Sequence, residues 1–179
     1  MIIKFGILIL SVLLSACASP PVNHADGVNL TPQSGLLVVG LHTDWDGHTN
    51  PLLAKIKLLL TADSDLSSGN GRTELVFQGK NYFSVIELPA NKYKFYRLHF
   101  STYFWNIKKN NEFIIKPNTI TYVGDITVDN DRTSTAVPSI ITVADSYDNA
   151  KEYMNKNYPK LLSKYSMEKD IAPLKVKLQ

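Results

Sequence analysis

Tyr82-Phe83-Ser84-Val85-Ile86-Glu87-Leu88-Pro89-Ala90-Asn91-Lys92-Tyr93-Lys94-Phe95-Tyr96-Arg97-Leu98-His99-Phe100 sets the character of the chain. Two runs rich in aromatic and β-branched residues flank a short punctuation, Pro89-Ala90-Asn91. Such residues suit a pleated, half-buried surface. Pro89 presets a turn, and Asn91 tolerates the left-handed conformation better than most residues. Beyond the turn, Tyr96, Leu98 and Phe100 alternate with Phe95, Arg97 and His99, a period of two that predicts a strand.

Working outward, the same pattern recurs. Gly35 to Leu41 is a dense apolar run and predicts a buried first strand. Residues 53–60 and 73–78 read as further strands. Gly79-Lys80-Asn81 between 73–78 and 82–88 suggests a hairpin. After Lys108-Lys109-Asn110-Asn111, short strands are expected at 113–115, 120–128 and 137–143. At the carboxyl end the period changes: Tyr147, Ala150, Tyr153, Met154 and Tyr158 recur at helical spacing. Asp145 or Ser146 offers a cap and Asp148 sits in the first turn. Pro159 interrupts, and Leu161, Leu162 and Tyr165 suggest a second helical segment. The tail from Met167 either frays or adds an edge strand through Leu174, Val176 and Leu178.

The expected fold class is therefore mainly β, a single antiparallel β-sandwich over 35–144 with carboxyl-terminal helices packed on it over 145–166. Residues 167–179 form the tail. Leu88-Pro89-Ala90-Asn91-Lys92-Tyr93, together with the stretch from Phe113 through Pro117-Asn118 to Ile126, resembles the prealbumin-like, transthyretin-like domains of small bacterial lipoproteins. Those domains are similar to carboxypeptidase-regulatory domains. That family usually has Gly where this chain has Asn91 and Asn118, and both Asn residues keep access to positive φ. The motifs concern turns and carry no catalytic residue.

The amino-terminal stretch assigns a compartment. Lys4, the apolar run Ile7 to Leu14 and the small Ser15 and Ala16 read as a secretory signal over 1–16. The run is shorter than the roughly 20 apolar residues a bilayer span needs. Leu14-Ser15-Ala16-Cys17 resembles the lipobox of bacterial lipoproteins. The resemblance implies cleavage before Cys17 and covalent lipid on its thiol. Two chains are enough for stable attachment. Ala18 and Ser19 follow rather than an acidic residue, which in enterobacterial lipoproteins implies the outer membrane, here on its periplasmic face. Cys17 is the only cysteine, so no internal disulfide is expected in an oxidising compartment. Residues 17–34, rich in Pro, Asn, Ser and Gly, read as a flexible tether.

Composition bounds the function. At 179 residues the chain is long enough for one domain with a real core. The net charge is +3, too weak a balance to argue for nucleic acid. From Lys80 to Lys116 seven Lys or Arg face two Glu, and from Thr119 to Asp148 five Asp face one Arg. If that segregation is also spatial, the domain is a dipole able to orient on a membrane or partner.

The sharpest polar cluster is His42, Asp44, Asp46 and His48. Alternate spacing puts all four on one face of an extended strand, and His with carboxylate suits zinc or copper. The same residues fit a solvated loop around an Asp46-Gly47 turn. Asp129-Asn130-Asp131 begins like a calcium loop but has Ser134 and Ile140 where Gly and Glu are required. Gly69-Asn70-Gly71 lacks the pattern of a phosphate cradle. Tyr103 and Trp105, in an aromatic-dense segment, are candidates for stacking on cell-wall sugars, although core and edge packing in a sandwich is the more ordinary use of such residues. No nucleophile elbow or zinc-protease motif occurs, and the expectation is a non-enzyme with no cofactor beyond the lipid. The membrane and an envelope protein are the expected partners.

Overall fold

The computed structural model describes residues 23–43, 55–62, 72–78, 81–100, 103–107, 111–130, 138–172 and 175–177. The signal, Cys17, and the predicted metal residues Asp44, Asp46 and His48 lie outside them. Eleven strands and two helices are described: β1 Ser34–Thr43, β2 Lys55–Ala62, β3 Arg72–Gln78, β4 Asn81–Pro89, β5 Asn91–Phe100, β6 Tyr103–Asn106, β7 Glu112–Ile115, β8 Thr119–Asn130, β9 Pro138–Ala144, α1 Tyr147–Asn157, α2 Pro159–Lys164, β10 Ser166–Lys169 and β11 Lys175–Lys177.

The strands form two sheets. The first runs β11-β9-β8-β1-β4 with β10 also on β8; the second runs β3-β2-β5-β6 with β7 also on β5. Both use one device. β8 pairs along one edge with β1, while its other edge is divided between β10 at 119–122 and β9 at 125–130. β5 pairs with β2 along one edge and divides its other between β7 and β6.

Period-two alternation explains the layers. Leu37, Val39 and Leu41 from β1 enter one core with Ile56, Leu58 and Leu60 from β2, Phe77, Phe95 and Phe113. That core lies between the sheets. Leu36 and Val38 point the other way, into a second cluster with Ile120, Tyr122, Ala150, Met154, Tyr158 and Leu161. Here α1 and α2 cover the outer side of the first sheet. Pro159 opens α2, where its missing N–H costs nothing.

Several expectations change. The sheets are not wholly antiparallel, because β1–β8 and β10–β8 are parallel pairs. The hairpin expected around Gly79-Lys80-Asn81 does not form, since β3 pairs with β2 while β4 pairs with β1. The chain there crosses between sheets, and it crosses back at Pro89-Ala90-Asn91. Asn118 has the expected left-handed φ of 54°, but Asn91 opens β5 as extended backbone and its side-chain carbonyl accepts from Lys92 N–H at 2.7 Å. The tail adds edge strand β11, with Val176 opposite Ile141.

Residues 23–34, part of the stretch expected to be a flexible tether, are bound to the body. His24 N–H donates to Val85 O at 2.6 Å, and Asn23 Oδ1 accepts from Val85 N–H at 3.0 Å. The segment thereby covers β4, an edge of the first sheet. Thr31 N–H and hydroxyl donate to Glu87 Oε1 at 2.8 and 2.9 Å, joined by the Ser34 hydroxyl. Leu30 is buried against the helices. Low apolar content made this segment look free; backbone groups of an exposed edge hold it instead.

Candidate functional site

Among the described residues the second sheet carries no helix on its outer face, and the strongest feature of that face starts with a bulge. β5 slips register against β2 between Leu59 and Leu60, so Leu59 faces Arg97 while Leu60 faces Phe95. The extra residue re-aims its neighbours. Phe95 and Leu98 both enter the core, and Tyr96 and Arg97 both stay on the outside. Strict alternation would have sent Tyr96 and Leu98 one way and Arg97 the other.

On that face the Arg97 guanidinium lies 4.6 Å from the Phe104 ring centre and 5.9 Å from that of Tyr96. Arg72 sits 5.4 Å from the same Tyr96 ring. Arg97 Nε–H donates to Asn106 Oδ1 at 2.9 Å, which holds the plane of the group. A cation over an aromatic face gains about 0.5–1 kcal/mol at an exposed site. Phe104 is 54% exposed, an unusual position for a large apolar ring. Lys57 pairs with Glu74 at 2.8 Å, and Lys92 pairs with Glu112. His99 lies beside Phe104 with ring centres 5.9 Å apart. Burial, then the positive charge of Arg97, lowers the pKa of His99. Its Nε2 is buried without a hydrogen bond.

This arrangement sorts the aromatic segment differently from the sequence. Trp105 lies opposite Leu98 and packs against the inter-sheet core, which removes it from an outward stacking platform. Tyr103 begins β6, and its side chain lies outside the described residues. Among the described side chains, the exposed aromatics of the face are Phe104 and, in part, Tyr96. A β-bulge has no sequence signal beyond two adjacent residues that must share a face, so alternation alone missed it.

The predicted metal cluster contributes only His42 to the described structure. Its Nε2 lies 2.8 Å from Asp125 Oδ2. Asp125 Oδ1 accepts from the Tyr122 hydroxyl at 2.8 Å, and that hydroxyl accepts from Ser146 N–H at 3.0 Å. Asp125 is 1% exposed and Tyr122 is fully buried. Burial, then the hydrogen bond to Asp125, pushes the Tyr122 phenol above its ordinary pKa. Two glycines make the network fit. Gly124 adopts φ +114°, and the irregular strand there puts Tyr122 and Asp125 on one side. A Cβ at Gly40 would stand 2.2 Å from Asp125 Oδ1. The network ties the start of α1 to β8 and β1. Among the described residues no three His, Cys, Asp or Glu side chains converge as a metal group.

No protein-family model matches the chain, and no curated protein matches it. One solved structure, a leucine-rich repeat protein from Bacteroides thetaiotaomicron, aligns with a TM-score of 0.32 and 13% identity. The alignment covers 57% of this chain and 14% of that one, and it carries no argument about fold or function. No helix among the described residues is long and apolar enough to cross a membrane.

Proposed function

We propose that this protein is a lipid-anchored, non-catalytic binding module of the bacterial envelope, with a prealbumin-like body held to the outer membrane through Cys17. It engages an envelope protein through the outer face of the second sheet. The observation that carries this reading is the Arg97–Phe104–Tyr96 cluster on a sheet face without cover among the described residues. Arg and aromatic side chains are the residues that dominate protein interfaces. The lipobox supplies the compartment, and the absence of catalytic motifs in the sequence supports binding over chemistry.

The test is crosslinking in intact cells with a photoreactive residue in place of Phe104 and, as a control, in place of Glu152 on α1. The expected result is an adduct to an envelope protein from position 104, absent from position 152 and abolished by Arg97→Ala. No adduct from position 104, or equal adducts from both, overturns the reading.

A further inference from the structure

The described body begins at Asn23, only six residues after Cys17. Even fully extended, six residues reach about 20 Å. With residues 23–34 fixed to the body, a lipid on Cys17 keeps that side of the domain within this reach of the bilayer. That side is identifiable. Val28 N–H donates to Ala25 O at 3.2 Å, closing a turn whose Gly27 adopts φ +83°. Asp26 Oδ1 accepts from the backbone N–H groups of Lys160 and Leu161 at 3.1 and 3.2 Å, pinning the turn to the start of α2.

The turn displays Val28, 50% exposed and one of the few large apolar side chains on the surface of the described residues. Two exposed lysines of α2 flank it. The Lys160 side chain lies directly over Gly27, and Lys164 Nζ donates to Asn29 Oδ1 at 2.8 Å. The nearby acids are occupied within the protein. Asp26 faces the helix N–H groups, and Glu87 accepts from Thr31 and Ser34. An apolar tip between lysines, next to the point where the chain runs to its anchor, matches the chemistry of an anionic bilayer surface.

We infer that the turn at 25–28 and α2 form a membrane-contact surface that seats the domain on its own bilayer, through Val28 and the lysines Lys160 and Lys164. This rests on lipid attachment at Cys17. The helices and the amino-terminal segment lie on the outer side of the first sheet, so the second sheet is the far layer. Packed layers stand about 10 Å apart. The anchor therefore turns the Arg97–Phe104 face away from the membrane and toward the compartment.

Cys17 is the only cysteine, so in the lipidated full chain an introduced thiol is the one free for labelling. The experiment places an environment-sensitive fluorophore at Val28→Cys or Phe104→Cys in lipidated protein reconstituted into vesicles of phosphatidylethanolamine and phosphatidylglycerol. Mass spectrometry first establishes the acyl groups. The expected result is a blue shift and quenching by headgroup spin labels at position 28, neither at position 104, and loss of the quenching at 28 in Lys160→Glu/Lys164→Glu protein. Acylated, vesicle-bound protein with no quenching at 28, or with equal quenching at both positions, overturns the inference alone. Absence of acyl mass on protein from cells overturns the anchoring itself.

Discussion

The two sheets share a core and a pairing scheme, but their outer faces differ. The first is sealed by α1, α2 and residues 23–34, and its outward residues Leu36, Val38, Ile120 and Tyr122 are fully buried. The second is bare among the described residues, and its outward side chains include charged pairs, a cation held between rings and the exposed Ile114. Residues that face outward on the first sheet are packed into a second core, whereas outward residues of the second sheet, Phe104 among them, reach the surface.

The sharpest way to break that contrast is paired truncation. Met154→Ala removes a fully buried side chain from the helix layer and is expected to cost about 2–5 kcal/mol in chemical denaturation. Phe104→Ala on the bare face is expected to change stability by less than about 0.5 kcal/mol, as surface substitutions do. Equal losses would mean that the second face is structural. The next effect is at Gly40, where an added methyl meets the Asp125 carboxylate. Gly40→Ala is expected to destabilise by about 1–3 kcal/mol, the usual range for forced overpacking, read as a lower denaturation midpoint. An unchanged midpoint would show that the Asp125 network can shift at no cost.

Acid should loosen the first sheet's cover before its core. Burial alone would raise the Glu87 pKa, but the hydrogen bonds from Ser34 and Thr31 and the nearby His24 bring it below the ordinary glutamate value. Its contribution is complete above the unfolded pKa and disappears as pH falls through the folded one. Protection factors of the amides at residues 24–34, which remove the intrinsic pH dependence of exchange, are expected to fall over that window and to stay level in Glu87→Gln. The smallest effect belongs to the bare face. The lowered His99 pKa means that the unfolded chain takes up the proton first. Stability should fall slightly as pH drops from about 6.5, the ordinary histidine value, toward the folded pKa. His99→Gln should flatten that slope in pH-dependent denaturation, and an unaltered slope would count against the burial of the ring.

Strand existence was legible because alternation is local. Gly35 to Leu41, 73–78, 82–88 and 120–128 all lie within described strands, and the helical spacing from Tyr147 to Tyr158 marks α1. Strand partners were not legible. Pro89 and the Gly79 region announce turns, but turn residues do not say whether the chain returns beside itself or crosses to another sheet. The parallel pairing of β1 with β8 joins residues far apart in sequence. His42 stood out by spacing to Asp44, yet its partner in the structure is Asp125, 83 residues on. The exposed cluster was legible only as composition: the segment was dense in aromatics and cations, and a one-residue bulge decided which of them face outward.

The divided edge of β8 has a consequence for how the chain comes to be made. Its neighbour on one edge, β1, precedes it in the chain, while β9 and β10, which share the other edge, follow it. The first sheet cannot close before residues 138–169 have been made, since they supply one flank of β8. Until then one edge of β8 stays unpaired, although every strand of the second sheet has already been made.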